Sequence, residues 1–522
     1  MTHWIRRHQK KIFRVTSAVL ILFYSGYMFL SFAKIPIDAD FASLVLEARD
    51  ILSGNLLLNG WNLTGATYTF TELPFYSFGT LLFGVDIKAY IFATTLMYLL
   101  MFLFGFLLTR DESGPRPWLD WMILFAVAGF PGVYWSENLR AHTGVFVCAF
   151  AALLALKKMS DSQGAWPAAL YVLAVVLGTM SDSFMLPIVV VPVLIFSLLN
   201  LLSNREAGRT LNRRLFFLTA AGIIAGLLLR KAYLSIGGAN ENSLSGVAPF
   251  STLQEIPAQF LIYISALLKM FGCDFTGTKI FTFSTVWSFF RIWILFFGFS
   301  IIFRTLKQFF SGKNVDLINT ILSLGVLTQS VFLILTPFMS KLHGGRYISC
   351  FPIIFAVLLI REARREQIFA FKIAGNRLPV RWVAAGICAL LIAVSIRPVS
   401  FSRTVTGQDR LATFLREQNL LSGYADFATA NMVTVASENR VKVRAISFEA
   451  RDSIQQPYAY LWFSKTAWYS ETADFVIISG TGFKEVNEKT VSELIGEPDR
   501  ILTFETALIY VYDQDISAKI VL

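Results

Sequence analysis

Apolar residues in this chain fall in long unbroken runs, without the strict alternation or one-sided striping of a soluble domain. A helix that crosses a bilayer needs roughly 20 consecutive apolar residues, fewer when its ends lie among headgroups. Runs near that length predict eleven spanning helices, at 13–33, 90–108, 118–134, 143–156, 167–180, 185–202, 215–229, 286–303, 317–338, 347–360 and 382–396. The first follows Arg6, Arg7, Lys10 and Lys11, carries Arg14 at its start and is longer than a signal-peptide core. With no convincing cleavage site it reads as an uncleaved anchor whose N-terminus stays in the cytoplasm.

Composition and charge sharpen this picture. The chain is 55% hydrophobic and 16% charged, with a mean hydropathy of +0.58, so most of it belongs in lipid. Its net charge of +11 sits in short clusters at 110 and 116, 157–158, 205–214, 304–313 and 361–381. Alternating the spans from a cytoplasmic start puts every one of these clusters on the same side. The spans were chosen without using the charges, so the agreement is an independent sign of cytoplasmic loops. It also removes the reason to expect a nucleic-acid partner, because no separate basic face is left over. Cys148, Cys273, Cys350 and Cys388 are widely spaced and lack any CxxC pairing, which supports neither a disulfide framework nor a zinc site.

An odd number of spans exports the C-terminus. The exported face then receives 34–88, 136–142, 233–285 and everything after Arg397. In that last piece 408–419 reads as an amphipathic helix, and 441–448, 473–479 and 501–512 as strands. The expected architecture is an all-α polytopic membrane domain, 1–397, followed by a small extracytoplasmic α/β domain, 398–522. Within the membrane part, Ser181-Asp182-Ser183 interrupts the hydrophobicity and reads as a tight exported turn. The aromatics Phe281, Phe283, Trp287, Phe289 and Phe290 read as an interfacial belt.

The first exported loop carries the densest chemistry. Asp38 and Asp40 leave the membrane, and Phe41, Leu44, Val45, Ala48, Ile51 and Leu52 then recur at helical spacing against Ser43, Glu47, Arg49 and Asp50. This predicts an amphipathic helix at the interface, closed by Gly54, with two carboxylates at its mouth. Either acid alone is equally well explained as a cap on the helix N-terminus. Two further exported loops hold cations against the usual bias: Trp135 to Thr143 contains Glu137, Arg140 and His142, and Ser340 to Tyr347 contains Lys341, His343, Arg346 and Tyr347. The bland account of these cations is snorkelling near helix ends.

The order Asp38-Ala-Asp40-Phe-Ala, Glu47-Ala-Arg49-Asp50-Ile-Leu-Ser-Gly54, Gly60-Trp61, Gly65 and Glu72-Leu-Pro74 resembles the first loop of bacterial membrane glycosyltransferases of the GT-C fold. That family is similar to the protein O-mannosyltransferases and the aminoarabinose transferases of lipid A. The resemblance implies interfacial helices in the first loop, a polyprenyl-phosphate sugar as donor, and a catalytic base at the Asp38/Asp40 pair. Asp40 is preferred because its distance to Gly54 fits the commoner spacing, although the family's usual Asp-Glu pair is Asp-Ala-Asp here. Arg346-Tyr347, followed by Pro352, resembles the Arg-Tyr motif that opens a late helix in the family, where the Arg is suited to the donor phosphate.

The chemistry asks for this arrangement. An inverting transfer needs a carboxylate to take the acceptor's hydroxyl proton, and cations to receive the charge gathering on the departing phosphate. Glu72, Glu137, Arg140, His142, Lys341, His343, Arg346 and Tyr347 are therefore the expected donor and substrate contacts. A divalent cation, magnesium or manganese, is conceivable on Asp38, Asp40 and phosphate oxygens. Expected partners are the lipid-linked sugar, membrane lipids and a glycan, glycolipid or protein acceptor. Two other readings stay open: a flippase for lipid-linked intermediates, and a polymerase or ligase using a diphosphate donor. The transferase reading requires Asp38 and Asp40 to face a hollow shared with Arg140 and Arg346, and fails beyond about 15 Å, well past one screening length.

Overall fold

The computed structural model describes residues 19–110, 117–162, 164–203, 208–237, 240–241, 250–313, 315–339, 344–365, 372–373, 376–377, 380–450, 454–478 and 488–522. Six stretches are long and apolar enough to cross a membrane: Ile87–Thr109, Thr143–Ser162, Arg209–Gly237, Phe283–Phe310, Leu317–Leu335 and Gly344–Arg364. Shorter apolar helices at Val19–Phe32, Trp118–Gly129, Ala165–Ser181, Leu186–Leu202 and Val383–Ser395 meet the other five predicted spans. Residues 13–18 of the first predicted span lie outside the described residues. The protein is a polytopic membrane protein, and Phe281, Phe283, Phe289 and Phe290 point outward, as a lipid-facing belt does.

Lys157, Arg304 and Arg361, from three of the basic clusters assigned to one face, meet at one end of the bundle. Arg361 and Lys157 both donate to the Leu108 carbonyl, at 2.7 and 3.4 Å, and Arg361 pairs with Asp316 at 3.0 Å. Arg304 pairs with Glu362 beside them.

Three departures from the predicted helices matter for the other end. The span predicted at 118–134 is α-helical only through Leu124, continues as a π turn over Phe125–Gly129 and stops at Phe130. Pro131 forces this, because its ring excludes the preceding residue from the helical region. A short helix, Val133–Asn138, then brings the chain to Arg140. Second, Leu186–Val190 is also a π turn, with Pro187 in it and Pro192 just beyond, each lacking an N–H for the ladder. Third, Leu73–Phe83 and Ile256–Met270 are apolar helices inside stretches read as loops; at 11 and 15 residues they are too short to announce themselves as spans.

The C-terminal domain begins with the helix Gly407–Glu417, opened by a capping box between Thr406 and Asp409. A six-stranded sheet follows, in the order Arg500–Phe504, Ala507–Val511, Phe475–Ile478, Ser422–Ala425, Lys442–Ser447, Tyr458–Ala459. The run predicted as one strand at 501–512 is a hairpin, turning at Glu505 with φ of +51°. The central strand Ser422–Ala425 pairs in parallel with both neighbours. Like most such strands it is covered on both faces, by two apolar clusters built around Val443 and Phe475 on one side and Tyr424 and Val476 on the other.

Candidate functional site

The first loop builds the site from a single well-capped helix, Ala39–Leu52. Asp38 sits at its N-cap in extended conformation and accepts from the Phe41 amide at 3.2 Å. Gly54, at φ +103°, takes the left-handed turn after the last helical residue that other residues resist. Of the predicted apolar stripe, Phe41, Leu44, Val45 and Ala48 are buried in the core, while Leu52 is exposed. The polar stripe is divided: Ser43 and Glu47 are fully buried where the helix Phe427–Ala436 packs, its Asn431 donating to the Ser43 hydroxyl at 2.7 Å, while Arg49 is exposed and Asp50 half-buried. The first half of the expected open face is thus an internal seam, closed by the C-terminal domain. Both Glu47 carboxyl oxygens are buried without a partner, and burial first, then the charge of Asp50, push its pKa well up.

At the mouth of this helix each acid faces one cation from a distant part of the chain. Asp38 Oδ2 lies 3.6 Å from Arg140 Nη1, and Asp40 Oδ2 lies 3.6 Å from Arg346 Nη1. Arg140 is held by donating to the Pro36 carbonyl at 2.7 Å and the Glu137 carbonyl at 2.6 Å, with its guanidinium 5.8 Å from the Phe41 ring centre. Arg346 belongs to the 3-10 turn Gly344–Ile348 and lies 5.2 Å over the Tyr347 ring. Its Nε is buried without a hydrogen-bond partner. An orphaned guanidinium N–H beside an acid is what an anionic ligand would complete.

Asp40 is surrounded by protein although a third of its side chain remains accessible. Burial, then the neighbouring Asp38 charge, push its pKa up to about 6 against the opposing pull of Arg346. The Trp462 indole also acts on this carboxyl and holds it down. Trp462 comes from the C-terminal domain. No local signal links it to Asp40; the link is made by a strand ladder, in which Trp61–Leu63 of the first loop pairs with Ser464–Lys465. Lys465 adds an ion pair with Asp50 at 3.0 Å.

Behind the acids lies a packed layer. His142, at φ +59°, is buried with its Nδ1 2.5 Å from Asp182 Oδ2. Its ring lies 5.1 Å from Tyr347, which stacks on Phe184 at 4.6 Å. Ser181-Asp182-Ser183 does turn the chain, as predicted; Ser183 is exposed, but Asp182 is fully buried, and Ser181 takes the Tyr68 and Phe70 amides of the first loop. Glu72 is likewise fully buried and accepts from the Gly144 amide at 3.0 Å; burial, then Asp182, push its pKa up to about 8. So His142 and Glu72 support the site from beneath. Glu137 is half-buried beside Arg140, while Lys341 and His343 lie outside the described residues. Among the described residues no three His, Cys, Asp or Glu side chains gather as a metal site, and Asp38 and Asp40 each face a guanidinium.

Gly144 shows how tight that layer is. A Cβ there would stand 2.2 Å from the Thr71 carbonyl oxygen, which is backbone and has nowhere to go. Gly144→Ala is expected to cost at least the ~1–3 kcal/mol typical of overpacking, read as a lowered melting temperature of the purified protein. An unchanged melt would mean that the Glu72 segment is free to shift.

No family model and no curated protein sequence matches the chain. Among solved structures it is similar to ArnT from Cupriavidus metallidurans in the apo state, at 11% identity over 95% of this chain and 98% of that one, with a TM-score of 0.54. It is also similar to ArnT from Cupriavidus metallidurans bound to undecaprenyl phosphate, at 12% identity over 96% and 98%, with a TM-score of 0.51. The likeness spans membrane and C-terminal parts together, and the fold is the GT-C architecture that the first loop resembles.

Proposed function

We propose that the protein transfers a sugar from a polyprenyl-phosphate donor to an acceptor hydroxyl on an envelope glycolipid, glycan or protein, with inversion at the anomeric carbon. The observation that carries this reading is the paired geometry at the helix mouth: a partly accessible acid with a raised pKa, 3.6 Å from a guanidinium with an orphaned N–H. A fold shared with a protein whose structure holds undecaprenyl phosphate supports the same donor class. The site belongs to the extracytoplasmic end, with residues 1–397 as the membrane unit and 398–522 as the unit that covers it.

Asp40 is the base. The acceptor oxygen forms its bond to the anomeric carbon while its proton passes to Asp40, and the bond from that carbon to the phosphate oxygen breaks. The phosphate leaves with the electron pair, and Arg346 receives the charge. Asp38 has a different place, since it caps the helix and anchors Arg140. The chain's own residues complete this account without a metal ion.

The reading has a direct pH signature. A base works only when deprotonated, so activity should rise as pH increases through about 6 and level off above, following the Asp40 carboxyl. Because the Trp462 indole holds that pKa down, Trp462→Phe should move the rising limb to higher pH with the plateau height less affected. Initial rates in purified membranes with a polyprenyl-phosphate sugar between pH 4.5 and 9 measure both. A profile flat through this range in the parent protein would remove Asp40 from the base role.

A further inference from the structure

A second concave site lies at the other end of the same helix. A cavity of about 280 Å³ opens between Ala39–Leu52 and the C-terminal domain, with Arg49, Lys442, Arg444 and Lys465 in its lining and Trp468 as an aromatic wall, backed by the buried Trp61. Trp61 meets Trp468 edge to face, with ring centres 4.9 Å apart. Asp50 and Glu471 are the acids of this lining. Asp50 lies ten residues beyond Asp40, roughly 15 Å along a helix.

The two acids do not balance the cations. Asp50 already accepts from Asn55 and from the Trp61 indole, each at 2.7 Å, and pairs with Lys465 at 3.0 Å. Glu471 stands alone against two cations, 3.6 Å from Lys442 Nζ and 3.6 Å from Arg444 Nη2. Arg444 is the decisive residue. Its side chain is 7% exposed, its guanidinium stacks 4.0 Å over Trp468, and its Nε and Nη1 are buried with no hydrogen-bond partner. A buried guanidinium left with two unsatisfied N–H groups is costly unless an acceptor arrives.

We propose that this cavity binds a sugar ring carrying one acid group, phosphate or carboxylate, with the acid on Arg444 and Lys442 and the ring against the tryptophan wall. The volume suits one ring; it is smaller than the roughly 300–1,000 Å³ of drug-sized pockets. Apolar tails would meet charge on most sides, and a neutral sugar would leave Arg444 unsatisfied. Read together with the transferase proposal, on which this last step rests, the site holds an acidic sugar of the acceptor glycan while a hydroxyl further along reaches Asp40.

Calorimetric titration of the full chain in nanodiscs of neutral phosphatidylcholine tests binding apart from catalysis. Four probes serve: glucose 6-phosphate, glucuronate, glucose and inorganic phosphate. The two acidic sugars are expected to bind about ten-fold or more tightly than either glucose or inorganic phosphate, and Arg444→Gln to remove that margin, as losing a charged hydrogen bond implies. Should Arg444→Gln fail to fold, Lys442→Gln, at a half-exposed position, carries the same test with a loss of several-fold. Inorganic phosphate binding as tightly as glucose 6-phosphate, no binding at all, or affinities unmoved in the variants would each overturn the proposal. Asp40→Asn should keep this binding, so a failure of the transferase reading and a failure of this one give different results.

Discussion

Replacing Asp40 with Asn should abolish sugar transfer, by roughly 10²–10⁴-fold, the range a positioned general base contributes, while the protein still inserts and melts no lower than its parent. The second half of that expectation follows from the sign of the pKa shift. An acid raised from 3.8 to about 6 in the fold binds its proton more tightly there than in the unfolded chain. Stability therefore falls as pH rises through that window and stays lower above it. At neutral pH the Asp40 charge weighs against the fold, and the amide relieves that while costing Arg346 its partner. The net gain is small because the side chain is partly solvated, but it is not a loss. Asp38→Asn makes the control. Asn caps a helix as well as Asp does, so the helix persists, and the activity lost should be the smaller. If Asp40→Asn transfers sugar at the parental rate, the base lies elsewhere.

The next largest effect is expected at Arg346. Arg346→Gln keeps a shorter polar side chain but removes the charge facing the phosphate, and kcat/KM for the lipid-linked donor should fall by about 10²–10³. Arg346→Lys should recover only part of this, because an ammonium restores charge without the second donor edge that the orphaned Nε represents. Binding of undecaprenyl phosphate to the purified variants separates contact from chemistry. Should Arg346→Gln hold that lipid as tightly as the parent and turn over as fast, the cation belongs to the scaffold alone, pinned between Asp40 and the Tyr347 ring.

The membrane helices were legible because the bilayer imposes a length, and a length can be read from one dimension. The predicted span at 90–108 is the helix Ile87–Thr109, and that at 317–338 is Leu317–Leu335. The same rule is blind to Leu73–Phe83, too short to span yet packed against its neighbours. Arg140 and Arg346 stood out because cations are sparse on the exported side of a span, and Asp38 and Asp40 because they open the helix that the apolar spacing of the first loop predicts. Asp182 did not, since a polar triplet at a span end looks the same whether it meets water or, as here, a buried imidazole from 40 residues earlier. Trp462 was out of reach for a related reason. Its indole reaches Asp40 only because a strand of the first loop is paired to the segment beside it, and pairing between strands so far apart leaves no periodicity to read.

That ladder between Trp61–Leu63 and Ser464–Lys465 also fixes an order of events during synthesis. A ribosome completes the helix at Ala39–Leu52 when most of the polypeptide is still untranslated, yet the roof over Ser43 and Glu47, the indole beside Asp40 and the lysine on Asp50 all come from the closing fifth. The nascent protein stays chemically unfinished until its final segment arrives. A stop codon just past the last membrane helix would leave an inserted but inert product, which the missing segment, expressed as a second polypeptide, could repair by adding its edge to the waiting strand.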